Sequence, residues 1–256
     1  MSMQIEGTSA VVTGAASGLG AATARALVAD GVHVVGLDLA DGWERADAPV
    51  DGVEAVTGDV TSADDVARAV DAAVASGAPL RLAVSCAGVA WASRVLSRKG
   101  VHDLDLFQQV VGINLVGTFN VLRLAAEAIA RTRPADDDGQ RGVVVNTASV
   151  AAYDGQVGQA AYAASKGGVA ALTLPAARDL AQHGIRVVTI APGILDTPMM
   201  SSIAEEFRAS LAAGVPFPAR LGRPDEYARM VLAIAAQDYL NGEVVRLDGA
   251  LRMGPR

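Results

Sequence analysis

Ser9-Ala10-Val11-Val12-Thr13-Gly14-Ala15-Ala16-Ser17-Gly18-Leu19-Gly20, continuing into Ala21–Ala29, holds the fold in outline. The first five residues form a short apolar run suited to a buried parallel strand. The glycines allow a tight turn and a close backbone approach, and Ala21–Ala29 is a helical stretch. A strand, a glycine-rich turn and a helix start together present free N–H groups and a positive dipole end to a pyrophosphate. Glycine-rich turns are common, so the surroundings decide. Val32–Leu37 reads as a second buried strand and ends in Asp38. An acidic residue about 20 positions past the glycines is where a dinucleotide fold accepts hydrogen bonds from ribose hydroxyls. A carboxylate there also repels a 2′-phosphate, so the expected cofactor is NAD.

Working outward, further strand-like runs at Val53–Thr57, Leu82–Ser85, Gly142–Thr147, Arg186–Ile190 and Glu243–Leu247 alternate with helical segments. That alternation predicts an α/β Rossmann fold: a doubly wound parallel sheet of about seven strands with helices on both faces. No repeat or Pro/Gly-rich linker divides the 256 residues, so a single domain is expected. Residues 1–150 would mainly bind cofactor. Residues 149–256 would supply catalysis, a substrate lid and the last strand. The net charge of −7 argues against a nucleic-acid partner, which calls for a basic footprint. No run of 18 uncharged apolar residues is present, so no membrane span is expected. With the first strand starting by residue 9 there is no room for a cleavable signal, and the single cysteine suits a reducing cytoplasm. Cys86 reads as a small buried residue, Asp136-Asp137-Asp138 as a solvated loop, and His33, His102 and His183 as structural or solvated, with no metal-ligand spacing among them.

The chain has two lysines among its 21 basic side chains, and one lies four residues after a tyrosine in Tyr162-Ala163-Ala164-Ser165-Lys166. At that spacing the two side chains share a helix face. An ammonium beside a phenol favours the phenolate; lowering a tyrosine from about 10 to about 7 takes about 4 kcal/mol. The result would be an acid/base able to move a proton on or off an alcohol oxygen. Taken alone, the spacing favours a surface pair worth a few tenths of a kcal/mol.

Thr13-Gly14-x-x-x-Gly18-x-Gly20, together with Ser149 thirteen positions before Tyr162 and then Lys166, resembles the short-chain dehydrogenase/reductase family over nearly the whole chain. The resemblance implies Asn114, Ser149, Tyr162 and Lys166 as the catalytic set, with Asn114 inside a helix Asp105–Leu124 ordering a water that carries the proton outward from Lys166. It implies dinucleotide contacts from Gly14, Ser17, Gly18, Leu19, Gly20 and Asp38, and adenine-side contacts from Asp59 and Val60. Cys86, Ala87 and Gly88 would support the cofactor through their backbone, with Ser85-Cys86 standing where the family usually has Asn-Asn. Pro192, Gly193, Leu195 and Thr197 would meet the nicotinamide, with Tyr162 and Lys166. Ser149, whose bland reading is a turn cap, becomes a carbonyl-binding donor, and Gln159 would face the acyl chain.

The run Ala151–Tyr162, Thr173-Leu174-Pro175, Val215-Pro216-Phe217-Pro218 and the ending Asn241–Ala250 narrow the resemblance to the type-2 3-hydroxyacyl-CoA dehydrogenases. The implied reaction is NAD-dependent oxidation of short or 2-methyl-branched 3-hydroxyacyl-CoA to 3-ketoacyl-CoA. A hydroxysteroid or other secondary-alcohol dehydrogenase, or a ketoacyl-thioester reductase, remains open on the same scaffold. The resemblance also implies a homotetramer formed through Asp105–Arg131 and Gln159–Gln182. Leu195–Ala219 reads as a substrate lid. Trp91–Gly100, with Arg94, Arg98 and Lys99, is either a solvated loop or a basic patch meeting the CoA phosphates.

Overall fold

The computed structural model describes residues 3–46, 50–200 and 205–255. Its centre is a seven-stranded parallel sheet built from β1 (Ser9–Thr13), β2 (His33–Asp38), β3 (Val53–Thr57), β4 (Leu80–Ser85), β7 (Gly142–Thr147), β8 (Ile185–Pro192) and β9 (Val244–Leu247). The order across the sheet is β3-β2-β1-β4-β7-β8-β9. Valine fills these strands because a strand covered on both faces needs β-branched apolar side chains on each. Val12, Val84, Val145 and Val188 face one way, into a core with α1 (Gly18–Ala29) and α8 (Pro224–Ala235). Val11, Ala83, Val144 and Val187 face the other, onto α3 (Ala63–Ala75), α5 (Gly117–Ala130) and α6 (Ala160–Ala181). The predicted strands all form, β4 and β8 running longer at their ends than the apolar pattern indicated.

The strand order reverses between β1 and β4, which opens a crevice at the carboxyl ends. There the register levels the strand tips, with Thr13 opposite Ser85 and Ser85 opposite Asn146. At the amino ends, two arginines are buried. Arg186 donates to the carbonyls of Ile234 (3.0 Å) and Ala235 (2.9 Å) in the last turn of α8, to Leu240 O (3.0 Å) and to Gln140 Oε1 (2.7 Å). Arg81 donates to Thr132 Oγ1 (3.0 Å), Arg141 O (2.7 Å) and Arg133 O (2.7 Å) beyond α5. They serve carbonyls at helix ends and turns, where backbone partners run short.

Two segments differ from expectation. The helix foreseen from Asp105 is not uniform: α4 (Leu104–Val111) passes through a π-turn, Gly112–Val116, before continuing as α5. Trp91–Gly100 is not simply a loop, since Leu96–Ser97 (β5) and Gly100–Val101 (β6) pair as a small antiparallel hairpin. The composite helix Leu104–Ala130 is long and apolar enough to cross a membrane by length and hydropathy alone, and half of that window is buried inside the fold. Its apolarity is thus largely used in packing against α3, β4 and α6. Asp137 and Asp138 are solvated as expected, but Asp136 closes the turn by accepting from Gln140 N at 2.9 Å.

Candidate active site

The glycine turn is built for a close ligand approach. Gly14 and Gly18 adopt positive φ (66° and 53°), and a Cβ at Gly14 would stand 2.9 Å from Ala87 N. A Cβ at Gly20 would collide with the Gly14 carbonyl. Gly14, Gly18 and Gly20 are therefore required by geometry. The start of α1 has no side-chain cap and no acidic residue in its first turn, whereas α3 is capped by Ser62 and α4 by Asp103. Exposed Ser17 precedes this end, so its N–H groups and positive dipole face outward. Asp38 accepts from Ala16 N (2.9 Å) through Oδ2 and from Leu39 N (2.8 Å) through Oδ1, fixing its carboxylate beside the turn. Each oxygen retains a lone pair for a ribose hydroxyl.

The remaining expected contacts close around this turn to different degrees. Thr197 stands over it, its Cβ 3.5 Å from where a Gly18 Cβ would be. Gly193, just past Pro192, packs on Asp248 and donates to Leu247 O at 2.9 Å. Leu195 is buried and bridges to Gly222. Ala87 N donates to Thr13 Oγ1 at 3.1 Å, joining the two loops. Asp59 receives Thr61 N and Oγ1, both at 2.8 Å, and Val60 packs against Gly117. Leu19 is half-buried and packs on the core. Cys86 turns its thiol inward, 3.7 Å from Tyr227 Oη and 3.9 Å from Thr147 Oγ1. Burial raises that thiol above its usual range, so it is no nucleophile. The glycines, the bare helix end and the free lone pairs of Asp38 fit a dinucleotide.

Ser149, Tyr162 and Lys166 meet at the carboxyl ends of β7 and the start of α6. Ser149 Oγ accepts from Ala151 N at 3.1 Å, which leaves its hydroxyl proton free to donate. Lys166 is buried and donates to Thr147 O at 2.7 Å, its Nζ 6.0 Å from the Tyr162 ring centre. The expected effect of the lysine on the tyrosine is not what the structure shows. Burial raises the Tyr162 phenol, and the nearby Ser149 hydroxyl is the influence that opposes the rise. Lys166 itself is lowered by burial to about 8. The ammonium is held by the Thr147 carbonyl at 2.7 Å, which draws it away from a purely phenolate-stabilising role.

Asn114 is buried in the π-turn, not in a regular helix. Its Oδ1 accepts from Val89 N (2.8 Å), while Nδ2 donates to Val89 O (2.9 Å) and Ser165 Oγ (3.0 Å). The i→i+5 turn projects this side chain to clamp the loop after β4 against α6. Gly88 lies between them: a Cβ there would be 2.9 Å from Asn114 Oδ1 and 3.6 Å from Lys166 Nζ. Sequence reasoning missed Thr147 and Tyr227, whose hydroxyls meet at 2.7 Å behind Lys166. No local signal marks Tyr227, since it reaches the site from α8. Ser85 Oγ and both amide atoms of Asn146 are buried at the same strand ends without a partner among the described residues.

A cavity of about 490 Å³ lies next to this cluster, lined by Arg94, Leu96, Gln156, Val157, Gln159 and Ala163 among others. Gln159 thus borders the expected substrate side, although its Oε1 also accepts from Gln156 N at 3.0 Å. Neither Ser149 nor Tyr162 lines this cavity, which adjoins the reacting groups from the first turn of α6. Arg94 belongs to it, while Arg98 and Lys99 are exposed at the hairpin turn. Of the expected lid, residues 201–204 lie outside the described residues. The rest includes α7 (Glu205–Ala213), with Phe217 82% exposed and so not packed over the site.

Residues 8–207 match the model of the short chain dehydrogenase family. The 3-hydroxyacyl-CoA dehydrogenase type-2 of Homo sapiens is 52% identical over 255 residues, covering 98% of this chain and 97% of that protein. Its counterpart in Drosophila melanogaster is 51% identical, covering 98% and 100%. The crystal structure of 3-hydroxyacyl-CoA dehydrogenase type-2 from Mycobacterium avium superposes with a TM-score of 0.91 at 47% identity, covering 99% of each chain.

Proposed function

The chain belongs to the short chain dehydrogenase family, and we propose that it oxidises short or 2-methyl-branched 3-hydroxyacyl-CoA to 3-ketoacyl-CoA with NAD. About 50% identity to 3-hydroxyacyl-CoA dehydrogenases over nearly the whole chain supports the substrate class. The single structural observation that carries the chemistry is the convergence of Ser149, Tyr162 and buried Lys166 at the end of β7 and the start of α6, beside an uncapped glycine turn. Asp38 favours NAD because its carboxylate offers acceptors to ribose hydroxyls and repels a 2′-phosphate. Gly14, Gly18, Gly20, Asp38, Gly193 and Thr197 would hold that dinucleotide.

Bound NAD supplies the hydride acceptor. Tyr162 Oη, once deprotonated to the phenolate, would take up the proton of the 3-hydroxyl, and Ser149 Oγ would donate to the oxygen that becomes the ketone. Lys166, with a pKa of about 8, gives up and regains a proton near neutral pH more readily than an ordinary lysine. Asn114 acts by holding Val89 and Ser165 in place, which fixes the loop after β4 beside Lys166. Arg94 offers a cation to the CoA phosphates at the cavity edge. We assign the protein to a reducing cytoplasm and to a homotetramer on the strength of the lone cysteine and the family resemblance.

Steady-state rates with NAD and NADP on a panel of 3-hydroxyacyl-CoAs, free alcohols and hydroxysteroids test this reading. It requires the acyl-CoAs to be turned over most efficiently and with NAD. Turnover of hydroxysteroids but not acyl-CoAs would overturn the substrate, and equal efficiency with both dinucleotides would overturn the role of Asp38.

A further inference from the structure

The segment after β9 does more than finish the chain. Asp248 lies at its root, with its side chain 7% exposed, and accepts from Arg246 Nε at 2.6 Å. Arg246 then reaches across to the loop before α6, donating through Nη2 to Asp154 Oδ2 at 2.7 Å and to Leu251 O at 2.9 Å. Its guanidinium also stands over the Tyr153 ring, 5.4 Å from the centroid. The same loop is gripped further along: Gln156 Nε2 donates to Gly254 O (3.1 Å) and Val157 N to Pro255 O (3.1 Å). On its far side, Gly158 O accepts from Ser93 N at 2.8 Å, beside Arg94 in the stretch leading into the hairpin. At the other end of the segment, Gly249 O accepts from Phe217 N (3.2 Å), and Gly249 packs against Val215 at the foot of the lid.

Asp248–Pro255 therefore touches both sides of the substrate approach. Gln156, Val157, Gly158 and Gln159 line the 490 Å³ cavity, and the tail sits behind this wall without itself lining it. An ion pair that is 22% and 18% exposed, forked onto a second carboxylate and stacked on a ring, is a fixed joint compared with a solvated surface pair. We infer that the C-terminal segment is a strut that positions the Tyr153–Gln159 wall of the substrate cleft, with Arg246–Asp154 as its anchor. Arg246 and Asp154 are positioning residues: they act through the loop and touch no reacting atom.

The kinetic part of this inference rests on the proposed acyl-CoA substrate; the mechanical part does not. Two variants are to be compared with wild type, Asp154→Ala and a chain ending at Met253, the second leaving the Arg246 cluster whole in case the first does not fold. Hydrogen exchange of the peptide covering residues 153–161, measured with NADH bound and no substrate, should quicken about tenfold or more in each. KM for a short 3-hydroxyacyl-CoA should rise about fivefold or more, with kcat and NADH affinity held within about twofold. Unchanged exchange in both variants overturns the strut whatever the substrate is. Faster exchange with an unchanged KM, or with kcat and NADH affinity falling alongside, overturns its role in positioning the cleft. If wild type oxidises no acyl-CoA while exchange still quickens, the substrate assignment fails and the strut stands.

Discussion

The two ends of the central sheet bury cations to nearly the same depth and treat them in opposite ways. Arg81 and Arg186 at the amino ends are 6% and 5% exposed; Lys166 at the carboxyl ends is 5% exposed. Each arginine spreads its fork over three or four acceptors, closing helix ends that would otherwise leave carbonyls bare. Lys166 donates to Thr147 O, with Ser85 Oγ and the Asn146 amide nearby finding no partner among the described residues. Burial lowers all three pKa values, but an arginine starting at 12.5 stays charged while Lys166 arrives at about 8. One end of the sheet has spent its polar groups on stability. The other has kept them for exchange.

The largest effect that could break this contrast lies at the carboxyl end. Tyr162→Phe keeps the ring and removes the acid/base, so turnover should fall roughly 10²–10⁴-fold with the thermal midpoint little changed. Retention of more than about a tenth of turnover would place the proton transfer elsewhere. The mirror experiment is Arg186→Met, which orphans acceptors on Ala235, Leu240 and Gln140. At about 1–3 kcal/mol for each buried group left unpaired, stability should drop by at least about 3 kcal/mol. Denaturant unfolding would show it, while kcat of the folded protein holds; a fall in kcat at unchanged stability would dissolve the division between the ends.

A third test uses protons. Because the folded-state pKa of Lys166 is lowered from 10.5 to about 8, the unfolded chain binds more protons between those values. Its contribution therefore destabilises fully below pH 8 and is relieved as pH rises towards 10.5, by about 3 kcal/mol in all. Unfolding of wild type and Lys166→Met at about pH 7 and about pH 10 should reveal a gap that shifts in favour of the lysine protein on the alkaline side. A pH-independent gap would mean that Lys166 is solvated. The smallest expected effect is at the cofactor end. Asp38→Ala should relax the NAD over NADP preference by about tenfold, about 1.4 kcal/mol, the order of one hydrogen bond to a charged group. An unaltered ratio of kcat/KM values would remove Asp38 as the discriminating residue.

Much of the contrast could be read before the fold was known, and the unreadable part has a common cause. Valine runs and a glycine turn are local signals, so the strands, α1 and the Asp38 position follow from spacing. The Tyr162–Lys166 pair could be placed on one helix face, but the direction of the tyrosine shift depends on burial and on Ser149, which spacing does not weigh. Asn114 was expected in an even helix because a π-turn leaves the apolar period almost unchanged; it exists to let Asn114 reach Val89. Arg246–Asp154, Arg186–Gln140 and Thr147–Tyr227 join residues 92, 46 and 80 positions apart. Such polar joints leave no trace in a window of sequence.

The π-turn at Gly112–Val116 also bears on how the chain length can vary here. A π-turn accommodates one residue more than an α-turn while the helix on either side keeps its direction. Removing a single residue at Gly112 or Ile113 would therefore let α4 and α5 join as ordinary helix, with Val110 and Val121 still facing the core. The asparagine would turn away by about 100° and release Val89. A chain shortened in this way would be well folded and silent, the same architecture with its catalytic loop unmoored.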